Sequence, residues 1–135
     1  MNKMVIMIII VTLTFALLTA CTSTELSSDF DSAVVESSAQ GVVDALNAKD
    51  YDSVVAMLRE DLQDRLNAQK IADAVEMTYG DAGEFTAINK TTVIGQKKED
   101  EDFAVAIIEA KYENKKVIFT LSYDKNMKLI GLYMK

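Results

Sequence analysis

The sequence has no histidine, no proline and no tryptophan, and it has a single cysteine among its 135 residues. Without histidine it cannot form Ser-His-Asp or Cys-His catalytic machinery, and it has no imidazole for metal binding or general base catalysis. One cysteine excludes an internal disulfide framework and a cysteine-based zinc site. The 14 basic and 21 acidic residues give a formal charge of −7. This charge disfavours nucleic acid as a partner, because phosphates require clustered Lys and Arg.

The first twenty residues have the pattern of a secretory signal peptide. Lys3 and the N-terminal amine form a positive region, an apolar run follows from Met4 to Leu18, and small residues come next. Residues 4–20 also reach the short end of the length of a membrane-spanning helix, which needs about 17–25 residues. An uncleaved membrane anchor is therefore the alternative interpretation of residues 1–20.

The segment Leu18-Thr19-Ala20-Cys21 resembles the lipobox of bacterial lipoproteins, in which an aliphatic residue and two small residues precede an obligatory cysteine. The resemblance implies cleavage between Ala20 and Cys21 and a diacylglyceryl group on the Cys21 thiol. Several acyl chains hold a protein at a membrane, whereas one alone anchors it only marginally. We therefore predict a protein anchored by lipid to a bacterial cell membrane and facing the extracytoplasmic side. Residues 21–28, polar after the cysteine, would be a flexible tether.

Residues 29–135 are predicted to form one α+β domain that begins with helices. Apolar residues at helical spacing predict a helix over about 29–48, with an N-cap among Ser27, Ser28 and Asp29. Gly41 interrupts this helix at a cost of about 1 kcal/mol relative to Ala. A second helix begins near Tyr51, and a third follows Asn67 and ends at Gly80.

The second half of the domain changes to an alternation of period two. It predicts four strands, at about 84–95, 102–113, 115–124 and 127–134. Their short polar connections favour an antiparallel meander, and the helices would cover one face of that sheet. By parity, Phe103, Val105 and Ile107 lie on one face of the sheet, and Ala104, Ala106 and Ile108 lie on the other. Neither face is fully polar, so the face that the helices leave uncovered would be semi-apolar. Such a surface is typical of a partner site, and we expect it to bind a second copy of the chain or another protein.

The order of elements and several short segments resemble a bacterial domain family of unknown function in the nuclear transport factor 2-like (cystatin-like) superfamily. The matching segments are Tyr51–Val55, Leu66–Ile71, Gly83–Phe85 and Ile130–Tyr133. The resemblance implies a curved sheet wrapped around helices with a conical pocket between them. It implies no catalytic residues.

Chemistry in such a pocket would require an acid with a shifted pKa in apolar surroundings. Glu109, in an apolar strand and accompanied by Tyr112 or Tyr123, is the best candidate in the sequence. The competing interpretation is that Glu109 faces solvent or pairs with a lysine such as Lys116. Tyr79, Tyr112 and Tyr123 would either line a ligand pocket or belong to the core.

The run Glu99–Asp102 contains four consecutive carboxylates but lacks the spacing of a calcium loop, so a solvated hairpin tip is favoured. The sequence predicts no cofactor and no metal. The favoured function is a lipid-anchored module that is not an enzyme and binds a protein or a small apolar ligand. The alternatives are an enzyme using carboxylate and tyrosine acid–base chemistry, and a purely structural envelope lipoprotein.

Overall fold

The structure is a computed structural model that describes residues 23–135. The predicted signal peptide, the lipobox and the predicted modification at Cys21 lie outside the described residues. Within them, four helices precede four antiparallel strands, so the predicted α+β class and the predicted order of helices and meander are confirmed, and one short strand that was not predicted comes before the helices. No helix in residues 23–135 has the length and apolar character needed to cross a membrane.

The four helices are α1 (Ser32–Asn47), α2 (Tyr51–Met57), α3 (Glu60–Gln63) and α4 (Ala68–Tyr79). The N-cap of α1 is Asp31, whose Oδ1 accepts from the amides of Ala33 at 2.9 Å and Val34 at 3.3 Å. The helix therefore begins after the predicted caps, and Asp29 instead pairs with Lys125 at 3.3 Å.

The N-cap of α4 was placed correctly by the sequence. Asn67 Oδ1 accepts from the Lys70 amide at 3.0 Å. A side-chain oxygen at this position satisfies an amide that has no partner inside the helix.

The sheet has five strands in the order β1-β2-β3-β4-β5, all antiparallel. They are β1 (Ser23–Thr24), β2 (Phe85–Lys98), β3 (Glu101–Tyr112), β4 (Lys116–Tyr123) and β5 (Leu129–Met134). The last four are the predicted meander.

Part of the predicted tether is an ordered edge strand, because β1 pairs with Gly95 and Gln96 of β2. A Cβ at Gly95 would clash with the backbone oxygen of Glu25, so glycine is required for this close approach. Leu26, a few residues further on, packs against the core.

The core lies between α1 and one face of the sheet. On β3 this face carries Ala104, Ala106, Ile108 and Ala110, all of them fully buried. The three alanines leave room for α1 to pack close to the sheet, and its buried residues are Val35, Ala39, Val42, Val43 and Leu46. Register shifts along β2, at Phe85/Ala87 and Ile88/Lys90, bend this strand as β-bulges do.

The opposite face of the sheet is not covered by any described element. It carries Phe103, Ile107 and Ile118, which are half-buried by their neighbours, and Tyr133, which is 61% exposed. We call this surface the outer face. The sequence correctly separated it from the core face by the alternation along β3 and β4.

Candidate functional site

A cavity of about 570 Å³ opens between the end of α1, α4 and the adjoining ends of β2 and β3. Its apolar and aromatic wall includes Leu46, Tyr51, Val75, Tyr79, Phe85 and Tyr112. We call it the tyrosine cavity. Its size is within the range of small-molecule sites in proteins, which are about 300–1,000 Å³.

Three aromatic rings form one side of the tyrosine cavity. The ring centroids of Tyr79 and Tyr112 are 5.2 Å apart, and those of Phe85 and Tyr112 are 5.6 Å apart. The Tyr79 ring also packs edge-on against Phe119 of the core at 5.7 Å. These contacts fix the rings in the edge and tilted arrangements that aromatic pairs prefer.

Hydrogen bonds and an ion pair connect the end of α4 to the turn between β3 and β4, and these contacts hold Tyr79 beside Tyr112. Lys115 Nζ donates to the carbonyl oxygen of Thr78 at 2.8 Å and pairs with Asp81 at 3.2 Å. The Asn114 side-chain amide donates to the Asp81 carbonyl at 3.2 Å.

The polar groups of the cavity wall are only partly satisfied. The Tyr112 hydroxyl donates to Oδ1 of Asn47, which lies at the end of α1. Asn47 Nδ2 and the Tyr79 hydroxyl are buried and have no hydrogen-bond partner among residues 23–135. A buried polar group without a partner costs about 1–3 kcal/mol, so two of them in one cavity wall call for an explanation.

Both cavity tyrosines are hydrogen-bond donors at neutral pH. Burial raises the pKa of Tyr79, and the neighbouring Tyr112 raises it further. Burial also raises the pKa of Tyr112. Neither hydroxyl ionises readily in these surroundings, and the Tyr112 hydroxyl already donates to Asn47, so the Tyr79 hydroxyl is the one suited to bind an acceptor rather than to abstract a proton.

The charged residues that line the cavity are predominantly acidic. They are Lys49, Asp73, Glu76 and Glu84, and all four are exposed to solvent. Three carboxylates against one ammonium make the entrance unfavourable for an anion and compatible with a neutral or cationic molecule.

Glu109 does not line the tyrosine cavity. It lies on the outer face, where its Oε1 pairs with Lys116 Nζ at 3.1 Å and accepts from Asn89 Nδ2 at 3.3 Å. The Lys116 contact, followed by the bond from Asn89, holds the pKa of Glu109 below its usual range. The interpretation that pairs Glu109 with Lys116 is confirmed, and Glu109 does not enter the cavity because strand parity directs it to the other face.

Tyr123 also lies apart from the tyrosine cavity. It lines a second, smaller cavity between α1 and the turn that joins β4 to β5. Of the four residues considered as possible pocket residues, Glu109, Tyr79, Tyr112 and Tyr123, the structure brings together only Tyr79 and Tyr112.

Asn47 was missed by the sequence analysis. Its partner Tyr112 is 65 residues away, and in the sequence Asn47 is only a polar residue at the end of a helix. No local signal could have identified it.

The acidic run Glu99–Asp102 belongs to the hairpin that joins β2 and β3. Glu99 and Asp100 form its turn with positive φ angles of 51° and 63°, as a two-residue turn of this hand requires. Asp102 lies opposite Lys97. Within residues 23–135, no group of three or more His, Cys, Asp or Glu residues could hold a metal ion.

These features define an α+β domain with a ligand-sized cavity between its helices and one face of an antiparallel sheet. The profile of the family described as "Protein of unknown function (DUF3887)" matches residues 39–132, and the chain belongs to this family. It is also similar to the NMR structure of a protein from Ruminococcus gnavus ATCC 29149. The two are 30% identical with a TM-score of 0.73, over 83% of this chain and 97% of the other. The search of curated proteins found no match.

Proposed function

We propose that the protein is a lipid-anchored, extracytoplasmic binding module that holds a small ligand in the tyrosine cavity. One observation carries this proposal: Asn47 Nδ2 and the Tyr79 hydroxyl are buried, with no hydrogen-bond partner among residues 23–135, in the wall of a cavity of about 570 Å³. A ligand with an acceptor oxygen would satisfy donors that otherwise cost stability. Helices followed by a bent antiparallel sheet with a cavity between them also support a nuclear transport factor 2-like fold.

The charge and the wall of the cavity narrow the ligand class. The aromatic rings favour a flat or apolar body, and the acidic entrance favours a molecule without negative charge. We expect a neutral or cationic molecule whose carbonyl or hydroxyl oxygen reaches the buried amide of Asn47.

The enzyme alternative has less support. Glu109 lies on the outer face, and the carboxylates of the cavity, Asp73, Glu76 and Glu84, are exposed at its entrance. None of them lies in the dry surroundings that tune a catalytic carboxyl group.

The anchor is proposed from the lipobox resemblance at Leu18–Cys21. Strand β1 starts only two residues after Cys21, so an acyl group there would keep the domain close to the bilayer surface. Metabolic labelling with an alkyne fatty acid should label the wild-type chain and leave Cys21→Ser unlabelled and released from membranes. Equal labelling of both chains would contradict lipidation at Cys21.

Ligand binding is tested by native mass spectrometry of the detergent-extracted protein. We expect wild type to retain a small molecule that the double variant Asn47→Ala/Tyr79→Phe loses. Glu109→Gln, on the outer face, is the matched control and should keep it. A wild-type spectrum without any retained molecule would instead favour the structural envelope role.

A further inference from the structure

The second cavity has a volume of about 300 Å³ and is formed by the middle of α1, the end of α2 and the turn between β4 and β5. We call it the Gly41 cavity. The residues of its wall that bear on its use are Gly41, Val42, Met57, Tyr123, Met127 and Lys128. It shares no residue with the wall of the tyrosine cavity.

Gly41 leaves this cavity open. It lies inside a 16-residue helix, where alanine is the more stable residue. A Cβ built at Gly41 would meet no atom of residues 23–135 within 4 Å, so the described neighbours do not require glycine here. The glycine therefore lowers helix stability and leaves space in the cavity wall.

Tyr123 also lowers the stability of the unliganded protein, in this case through a buried polar group. The side chain is only 2% exposed, and its hydroxyl has no hydrogen-bond partner among residues 23–135. Phenylalanine would keep the packing without a buried, unsatisfied oxygen. At both positions another residue would make the unliganded protein more stable: alanine in place of Gly41, and phenylalanine in place of Tyr123.

The rest of the wall combines adaptable apolar side chains with the polar residues Ser38, Asn126 and Lys128. Met57 and Met127 contribute unbranched side chains that adjust to the shape of a bound molecule. Met127 has a φ of 58°, a left-handed conformation that is unusual for a residue with a long side chain.

The charge at the cavity is positive. Lys128 is the charged residue of its wall. The nearby Asp124 is buried, and its Oδ1 already accepts from the amides of Asn126 and Lys128, both at 2.9 Å. Its Oδ2 lies 3.9 Å from Arg59 Nη1. The Asp124 carboxylate is therefore already bound by the backbone amides of its own turn and lies close to Arg59.

From these observations we infer that the Gly41 cavity is a second binding site, which takes a small amphipathic carboxylate. The hydrocarbon part packs against Val42, Met57 and Met127. The carboxylate accepts from the Tyr123 hydroxyl and is attracted by Lys128. This inference does not depend on the function proposed for the tyrosine cavity.

The methionines provide an internal test. The full chain is labelled with ¹³C in the methionine methyl groups, purified in detergent, and titrated with hexanoate. Met57 and Met127 are assigned from Met57→Leu and Met127→Leu variants. We expect saturable shifts of these two methyl resonances and none for Met77 and Met134, which line neither cavity. Hexanol and hexylamine should bind at least about tenfold more weakly, because they lack the negative charge.

Four variants distinguish an effect on binding from an effect on folding. Gly41→Leu fills the opening and should abolish the shifts, whereas Ala33→Leu, on the exposed first turn of α1, should leave them unchanged.

Tyr123→Phe should weaken hexanoate binding about tenfold, as loss of one hydrogen bond predicts. Its unfolding temperature should stay the same or rise, because no satisfied bond is lost. Gly41→Ala should raise that temperature by about 4 °C.

Several results would overturn the inference. One is the absence of saturable shifts at Met57 and Met127. Another is binding of hexylamine with the same affinity as hexanoate, which would show that Lys128 does not attract the carboxylate. A third is wild-type hexanoate affinity in both Gly41→Leu and Tyr123→Phe. Shifts at Met77, which is 88% exposed, of the same size as those at Met57 would show surface adsorption only.

Discussion

Tyr79 and Tyr112 are neighbouring residues of the same type in the same cavity, and yet their hydroxyl groups have different partners. The Tyr112 hydroxyl donates to Asn47, while the Tyr79 hydroxyl has no partner among residues 23–135. Tyr112→Phe should therefore lower the free energy of unfolding by about 1–3 kcal/mol, because it leaves Asn47 without a partner. Tyr79→Phe should leave this free energy unchanged or raise it. Chemical denaturation of both variants checks the contrast, and an equal loss in the two would show that the Tyr79 hydroxyl is satisfied after all.

Glu109 should make stability depend on acid pH. Its pKa is lowered in the folded protein, so its contribution is present above the pKa of the unfolded chain and is lost as pH falls through the folded value. Glu109→Gln removes this contribution. The difference in unfolding temperature between wild type and Glu109→Gln should therefore be largest near neutral pH and should vanish in strong acid. Asp44→Asn, which removes an exposed carboxylate of α1 without an ion pair among the described residues, is the control, and an effect of Glu109→Gln no larger than that of Asp44→Asn would contradict the role of the Lys116 pair.

At the scale of elements, the edge strand β1 depends on Gly95. Gly95→Ala would place a Cβ against the backbone of Glu25, and a two-residue strand has little pairing to lose. We expect residues 23–26 to detach from β2 while the rest of the sheet remains folded. Hydrogen exchange should then speed up at the amides of these residues and stay slow in β3. Unchanged protection at Thr24 would mean that the sheet edge accommodates the methyl group.

The elements themselves were largely predictable, because their signals are local. The alternation from Phe103 to Tyr112 predicted a strand and divided its residues between two faces, and Asn67 was an N-cap in both sequence and structure. Boundaries that depend on distant partners were not predictable. Thr24 forms part of a strand only because Gly95, far along the chain, permits close contact.

The candidate site was less predictable than the fold. It requires knowing which face of β3 meets α1 and how the end of α1 lies relative to Tyr112. Parity separates Glu109 from Tyr112, but parity alone does not reveal which of the two faces holds a cavity. The Asn47–Tyr112 bond joins residues far apart in sequence, so only the tertiary structure brings the polar wall together.

At the scale of the whole molecule, the net charge and the outer face act on association in opposite directions. Two copies that each carry −7 repel at a distance, whereas Phe103, Ile107, Ile118 and Tyr133 form a semi-apolar surface that no element of residues 23–135 covers. Glu109 and Lys116 at this surface pair within one chain, and the exposed lysines Lys90 and Lys111 lie on the same face, so like charges of two copies add to the repulsion. We therefore predict a homodimer through the outer face that is strengthened by salt, since salt screens the repulsion and leaves the apolar contact intact.

Sedimentation of a chain beginning at Thr22 tests this prediction. At high micromolar concentration we expect dimer, and a larger dimer fraction at 0.5 M than at 0.05 M NaCl, in line with a screening length that falls from roughly 14 Å to 4 Å. Ile107→Glu places a charge on the outer face and should give monomer with an unchanged fold by circular dichroism. Val34→Glu alters an apolar side chain of α1 that is 48% exposed and lies away from the sheet, so it should remain dimeric. A monomer at both salt concentrations would exclude self-association through this face and would leave a different protein as the partner that the apolar surface requires.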